Sequence, residues 1–340
     1  MKRRQLLAAG SAGCLGCIAG CTAPDPTSLG FGSDGHPFAD TTVTVRIENQ
    51  GTTDHDIETN AREALDFWAA ESSQYVGFGI DFEIVTDDQP DMVMAYVDSP
   101  EVCSDVEKYS SDVLGCAPRI RPENRIERPV TAYVVAADRP FGSIRTTAQH
   151  EIGHILGLGH TDDPLEIMSN DPKDRIPRYE IRTEIWETAI AAHEQAVSAV
   201  DRLNEGISDW NEEAYETAVE TFRRAATAFA AARNEFETAR ERAADLEAEP
   251  PLETVDRPML TEDLDRRIER LGIGEDAAGT MQEAAEAAAA DNELAAGELL
   301  SEANDRLTAF RDLESTALRT IASALGLVRG FDREDNEGGL

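Results

Sequence analysis

His150-Glu151-Ile152-Gly153-His154-Ile155-Leu156-Gly157-Leu158-Gly159-His160 is the stretch from which the rest of this 340-residue chain is read. On a helix, His150 and His154 stand one turn apart, so both imidazoles leave one face and can share a metal ion. Glu151 follows the first histidine but is turned by about 100° around the axis. It can hold a water beside the metal without being a ligand. A straight helix would carry His160 about 9 Å beyond His154 and about 240° around, on the wrong side. Gly157 offers the remedy, because glycine at a helix end adopts positive φ and turns the chain back. Gly159 adds freedom next to the third histidine. Five fixed residues at this spacing arise by chance at about the 10⁻⁵ level.

Three histidines leave a fourth tetrahedral position open for water, the layout of a catalytic Zn²⁺ rather than a structural one. Such an ion lowers the pKa of its water and polarises a carbonyl. Glu151 can then take the water's proton and return it to a leaving amine. One catalytic Zn²⁺ is the expected cofactor. Ca²⁺ is possible at Asp87-Asp88 or Asp162-Asp163 but has no support, since such pairs in an acidic chain are ordinarily solvated surface. His193-Glu194 begins like a second motif and fails at Val197. His36 and His55 have no ligand spacing.

Met168 lies eight residues after His160, and Thr161 follows the third histidine directly. At these residues the chain resembles the metzincin zinc metalloproteases, and among them the matrixins. The resemblance implies an α+β catalytic domain over about residues 41–177. It would hold a twisted, mostly parallel sheet, an active-site helix and a methionine turn in which Met168 floors the metal site. It also implies one antiparallel edge strand, placed between about Arg119 and Val135, that pairs with an extended substrate. The family's Pro-x-Tyr wall of the S1′ subsite is absent. Asn170-Asp171-Pro172 departs from it, and Ile176-Pro177-Arg178-Tyr179 is a loose stand-in. The tyrosine ligand found two residues after the methionine in some metzincins is replaced by Asn170.

Upstream, the hydrophobic pattern agrees with such a domain. Thr42–Glu48 (TVTVRIE) alternates as a strand, and Asp56 to about Tyr75 carries Ala61, Ala64, Leu65, Trp68 and Ala69 at helical spacing. Phe82–Val85, Met92–Val97 and Val130–Ala136 read as further strands. A helix is expected from about Ser143 to Leu156.

Downstream of about Tyr179 the strand pattern ends, and residues 178–330 read as an all-α helical bundle. Ala218, Phe222, Ala225, Phe229, Ala232, Phe236, Ala239, Ala243 and Leu246 make a heptad seam in which large Phe alternates with small Ala, which suits close antiparallel helices. Trp186, Ile190, Val197, Val200 and Leu203 mark a preceding helix. After Pro250-Pro251, a short helix is expected around Leu264–Leu271, an Ala-rich one at Ala284–Ala290, and a long last one from Leu300 to Val328. Such a region suits self-association or protein binding. Residues 331–340 read as a disordered acidic tail.

The N-terminus reads as an address. In residues 1–20, Lys2, Arg3 and Arg4 precede an apolar run from Leu6 to Gly20, which suits an export signal. Arg3-Arg4 resembles a twin-arginine signal. Ile18-Ala19-Gly20-Cys21 resembles a lipobox with Cys21 as the lipid anchor. Residues 21–40 then form a flexible tether. Cys103 and Cys116 remain as a pair, and a disulfide is natural outside the cell.

Charge sets the conditions. The chain carries 31 Lys and Arg against 67 Asp and Glu, a net charge of −36, which becomes −39 once the leader's three cations are gone. Clustered phosphate-binding cations are missing, so nucleic acid is excluded as a partner. Lys2, Lys108 and Lys173 are the only lysines. An acidic, lysine-poor chain resembles the proteins of halophiles, haloarchaea above all, because such repulsion fades in concentrated salt. The expectation is a zinc endopeptidase acting on extracellular proteins or peptides, touching the membrane only through a lipid on the outer face of the cell, or secreted if the lipobox is unused. The rival is a non-enzymatic surface lipoprotein whose helical region binds a partner and whose metal site is structural or vestigial.

Overall fold

A computed structural model of the chain describes residues 35–86, 89–104, 113–122, 126–247, 251–313 and 316–327. The leader, Cys21, most of the tether, Asp87-Asp88 and the acidic tail lie outside the described residues. The first region runs β1 (Thr41–Asn49), α1 (Ile57–Tyr75), β2 (Ile80–Ile84), β3 (Met92–Val97), a 3₁₀ turn (Pro100–Cys103), β4 (Gly115–Cys116), β5 (Val130–Val135) and α2 (Phe141–Ile155). Two short helical turns follow, α3 (Leu165–Met168) and α4 (Pro172–Arg175).

The sheet has the order β2-β1-β3-β5-β4. All pairings are parallel except β4 with β5. β3 is buried along its whole length, as the middle strand of a parallel sheet should be. Met92, Met94 and Tyr96 from β3 join Leu65 and Trp68 of α1 and Ile144, Ala148 and Ile152 of α2 in one core. Asp56 caps α1 by accepting from Thr59 N at 3.0 Å. Two polar clamps lock α2 to α1. Trp68 Nε1 donates to the Gln149 carbonyl at 2.8 Å, and Asn60 Nδ2 to that of Phe141 at 2.9 Å. The helix that carries the histidines is therefore held at both its first turn and its middle.

Two expectations need correction. The antiparallel edge strand is Gly115–Cys116, upstream of Arg119, with Cys116 opposite Tyr133. The chain leaves the sheet by Arg119, whose side chain donates to the Gly157 carbonyl at 2.8 Å and pairs with Asp162 at 3.1 Å. A disulfide joins Cys116 to Cys103. Nor does the tether reach residue 40. Phe38 is buried in the core, and the His36 ring stacks on Phe78 with centroids 4.8 Å apart. Apolar contacts thus order the chain before β1 begins.

An all-α region follows: α5 (Tyr179–Asn211), α6 (Tyr215–Ala244), α7 (Arg257–Ala289), α8 (Glu293–Asp312) and α9 (Arg319–Ala324). Helices α5 to α8 pack each against the next in chain order. Every residue of the heptad seam on and just after α6 is buried. Two of its three phenylalanines sit over glycines on the neighbours. A Cβ at Gly206 would come 2.6 Å from the Phe222 ring, and one at Gly274 would come 2.8 Å from the Phe229 ring. That packing explains why α7 is a single helix where two were expected, since Gly274 accommodates a ring rather than breaking the helix. The expected long last helix is instead split. Between α8 and α9 the Thr316 and Ala317 carbonyls accept from Arg267 Nη2 at 2.9 and 3.2 Å, which draws the chain out of helix. Among the described residues, no helix is long and apolar enough to cross a membrane.

The two regions are fastened together. Gly142 N, in the first turn of α2, donates to the Glu253 carbonyl at 2.9 Å, and Arg145 pairs with the Glu253 carboxylate at 2.6 Å. Arg182, in the first turn of α5, is buried and donates to the Thr254 and Leu325 carbonyls at 2.9 and 2.8 Å.

Candidate active site

His150, Glu151 and His154 occupy the last two turns of α2, and the turn that follows brings His160 back to them. Leu156 is the last residue with helical dihedrals, and Gly157 has φ of +101°. Gly157 N donates to the His154 carbonyl and Leu158 N to that of Gly153, both at 2.9 Å. This pair of bonds is the Schellman ending that a glycine permits. Arg119 closes over the turn, while Asp162 accepts from Gly159 N at 2.7 Å. Asp162 is thus engaged by the turn and by Arg119. At Gly159 a Cβ would meet the Arg119 guanidinium, so the missing side chain leaves room for that arginine to lie over the turn.

One ligand nitrogen from each of His150, His154 and His160 lies within 4.8 Å of the others. His154 Nε2 and His160 Nε2 are 3.1 Å apart. Two imidazole acceptors this close need a proton or a cation between them. At Zn–N distances of ~2.0–2.1 Å, tetrahedral ligands stand roughly 3.3 Å apart, so the cluster has the right scale. The outer nitrogens are already engaged. His150 Nδ1 is 2.7 Å from the Ile167 carbonyl, and His154 Nδ1 is 2.9 Å from that of Leu158. Donation from each Nδ1 leaves Nε2 as a lone pair, the tautomer a metal needs. Asn170, which stands where some metzincins have tyrosine, lies 2.9 Å from His160 Nδ1. The atom facing the ring is Asn170 Nδ2; turning the amide over would present its oxygen to Nδ1 and free His160 Nε2 in the same way.

Electrostatics favour uncharged rings. Burial, and after it the neighbouring His154, pushes His150 down to about 3. Burial also lowers His154 and His160. Glu151 is moved the other way. Burial pushes its carboxyl up to about 8, against the pull of the nearby Arg175 cation. Its Oε2 is buried and has no hydrogen-bond partner. The wall beside it is Gly115 on β4, where a Cβ would lie 2.6 Å from Glu151 Oε1. Met168, fully buried, lies under α2 against Gly153, where a Cβ would collide with its sulfur. The methionine turn also supplies the Ile167 carbonyl that holds His150.

Sequence reasoning brought the three histidines, Glu151, Gly157 and Met168 to one place, and the structure assembles them there. It missed Gly115 and Gly153, which leave room for Glu151 and Met168, and it missed Asn170 as a partner of His160. It also missed Arg175, whose signal is its place three residues after Pro172, in the segment expected to wall the site. His36 and His55 do not join the cluster. The first caps the end of α2 at the Ile155 carbonyl, 3.1 Å away, and the second lies 2.8 Å from the Arg139 carbonyl. Cys103 and Cys116 brace β4 from outside the site, and Cys21 lies outside the described residues.

No curated protein matches the chain. The Matrixin family model matches residues 37–182, a span that takes in the sheet, α2, the three histidines and Met168. That match and the three-histidine cluster together support a matrixin-like metalloprotease domain over residues 37–182.

Proposed function

We propose that this chain is a zinc endopeptidase that hydrolyses peptide bonds of proteins or peptides outside the cell. One observation carries the reading: three histidine nitrogens converge beside a buried carboxylate, Glu151, whose buried Oε2 has no hydrogen-bond partner. His150, His154 and His160 would hold the ion, in the neutral tautomers that their carbonyl partners favour. Zinc, when bound, polarises the peptide carbonyl and makes water a stronger acid.

The remaining work falls to the chain itself. Glu151 Oε2 orients the attacking water and accepts its proton, and burial favours that transfer because it stabilises the neutral acid. The same carboxyl then hands the proton to the departing amine. Gly115 and Cys116 spend one edge of β4 on β5; among the described residues no strand pairs with the other edge, which would take an extended peptide. The absence of a side chain at Gly115 lets that peptide run close to Glu151. Met168 supports the first histidine from below.

The leader reading and the cysteine pair support an exported enzyme anchored through Cys21 on the outer face of the membrane, and the charge of −36 supports work in concentrated salt. The test is to purify the protein in high salt, measure bound zinc, and compare casein or peptide cleavage by wild type and Glu151→Gln. Zinc near one equivalent in both, with cleavage only by wild type, is expected. A protein that binds no zinc, or equal cleavage by both, refutes the reading.

A further inference from the structure

A small cavity lies between the histidine site and the helical region. Leu114, Thr147, Arg175 and Ile176 line it from the catalytic side, and Arg182 and Thr254 from the helical side. It adjoins the reacting centre. Thr147 precedes His150 and Glu151 by one turn on α2 and so shares their face. Leu114 directly precedes Gly115, which touches Glu151. Arg175 is close enough for its charge to act on Glu151, His150 and His160.

The cavity is cationic in a chain whose charge is −36. Arg139, Arg175 and Arg182 all reach it. The hydrogen bonds of Arg182 run to Thr254 and Leu325 oxygens, all of them neutral. The Nε atoms of Arg175 and Arg182 are buried without a hydrogen-bond partner. Among the described residues, no carboxylate forms an ion pair with either. Acidic residues outnumber basic ones by 67 to 31 and could have been placed here. A buried cation without a paired anion is costly, and an arriving carboxylate relieves that cost with charge-assisted hydrogen bonds. Space decides which acid. About 30 Å³ is open inside, room for a water or two or for a carboxylate, since a water needs roughly 10–15 Å³ on this measure. An aromatic ring or a long aliphatic chain does not fit.

We infer that this cavity receives the side chain of a substrate residue flanking the cleaved bond, that it selects a short acidic residue, aspartate before glutamate, and that the helical region forms its inner wall. The inference rests on the proteolytic reading above and extends it to the substrate class. The wall segment Asp171–Ile176 carries the cation, and α5 with the Thr254 loop carries the floor.

The test has two arms. In the first, a peptide library is digested by wild type, Arg175→Leu and Thr254→Glu in high salt, with Glu151→Gln as the blank. Enrichment of Asp beside the cleaved bond is expected. Arg175→Leu should lower the ratio of kcat/KM for the Asp peptide to that for its Leu analogue by roughly tenfold or more, as one charge-assisted contact implies. Thr254→Glu, which sets a carboxylate against Arg182 from the helical side, should weaken the same preference. Cleavage that depends on Glu151 but shows no acidic preference overturns this inference and leaves the protease reading standing. If wild type cleaves nothing, the protease reading fails, and the second arm decides. Acetyl-Asp-methylamide is titrated into Glu151→Gln protein while the arginine Nε–Hε NMR signals are followed. Shifts of the signal missing in Arg175→Leu, given by the Asp compound and not by its Asn or Leu analogues, are expected. Equal or absent shifts overturn the inference.

Discussion

Replacing Gly157 with alanine tests the turn on which the site depends. Gly157 has φ of +101°, where a side chain is strained, and its Cβ would stand 2.9 Å from the Ile120 carbonyl. Ile120 has little freedom to retreat. It is buried, and its own N–H donates to the His154 carbonyl at 3.2 Å. The torsional strain is worth about 1–3 kcal/mol and the crowding about another 1 kcal/mol. Together they lower the melting temperature of the catalytic region by roughly 4–16 °C. The functional loss is separate. The turn orients His160 as an outer-shell partner orients a metal ligand, and such partners are worth about 10–100-fold in affinity. At free zinc one hundred times the wild-type Kd, wild type gains about 2.7 kcal/mol, whereas a hundredfold weaker variant gains about 0.4 kcal/mol. Thermal melts with EDTA and with buffered zinc measure both effects in one experiment. If Gly157→Ala melts within about 1 °C of wild type and gains as much from zinc, the turn does not place His160 and the account of the site is wrong.

Two other expectations concern the metal-free protein. Between pH 4.5 and 8 the folded state keeps a proton on Glu151 that the unfolded state has lost, so this group's contribution to stability falls as pH rises through about 8. His150 acts in the opposite sense. Its contribution is present above about 6.5 and is lost as pH falls toward 3. Glu151→Gln removes only the first effect, so in urea unfolding with EDTA its stability advantage over wild type should grow from pH 5 to pH 8; a flat or shrinking difference contradicts the burial of that carboxyl. The disulfide closes a short loop between the 3₁₀ turn and β4, and replacing both Cys103 and Cys116 by serine should cost about 3 kcal/mol in the catalytic region. Reductant should lower wild type by the same amount, and an unchanged unfolding midpoint in both cases counts against an edge strand braced by that bond.

Much of the site was legible because its geometry is local. Two histidines four residues apart and a glycine three residues on define a helix and its reversal within one stretch of chain, and no distant residue is needed to read them. The heptad seam was legible for the same reason, since a period along one helix reports one buried face. What escaped the sequence lies across elements. Gly115 and Gly153 matter through Glu151 and Met168, which approach them from other segments, and an isolated glycine does not reveal what fills its space. Separate apolar stretches at Leu264–Leu271 and Ala284–Ala290 suggested two helices where α7 is one, because the phenylalanine that packs over Gly274 comes from α6. The edge strand was misplaced because β4 has only two residues, too few for alternation to show. Nothing in the sequence pattern singles out Arg175 and Arg182, because burial of a charged side chain depends on what packs over it.

The change of composition at Tyr179 is not a mechanical boundary. Ser169 Oγ donates to Asp174 at 2.6 Å, and Asp171 accepts from Lys173 N at 3.0 Å, so α4 is tied to the methionine turn. Three residues later the chain passes Arg178, held in left-handed dihedrals and bonded to the Asp245 carbonyl at the end of α6. One turn further on, Arg182 is buried against the Thr254 loop and the end of α9. A free linker at residue 177 would let the segment that carries Arg175 swing away from Glu151. Pinned at Ser169 on one side and at Arg178 and Arg182 on the other, the segment has no such freedom. The helical region and the candidate site therefore share one wall. Cutting the chain at residue 177 removes Arg182 and the Thr254 loop and unties one end of that wall, so on the proposed function such a fragment should cleave with less acidic preference than the whole protein, and an equal preference in both would contradict a shared wall.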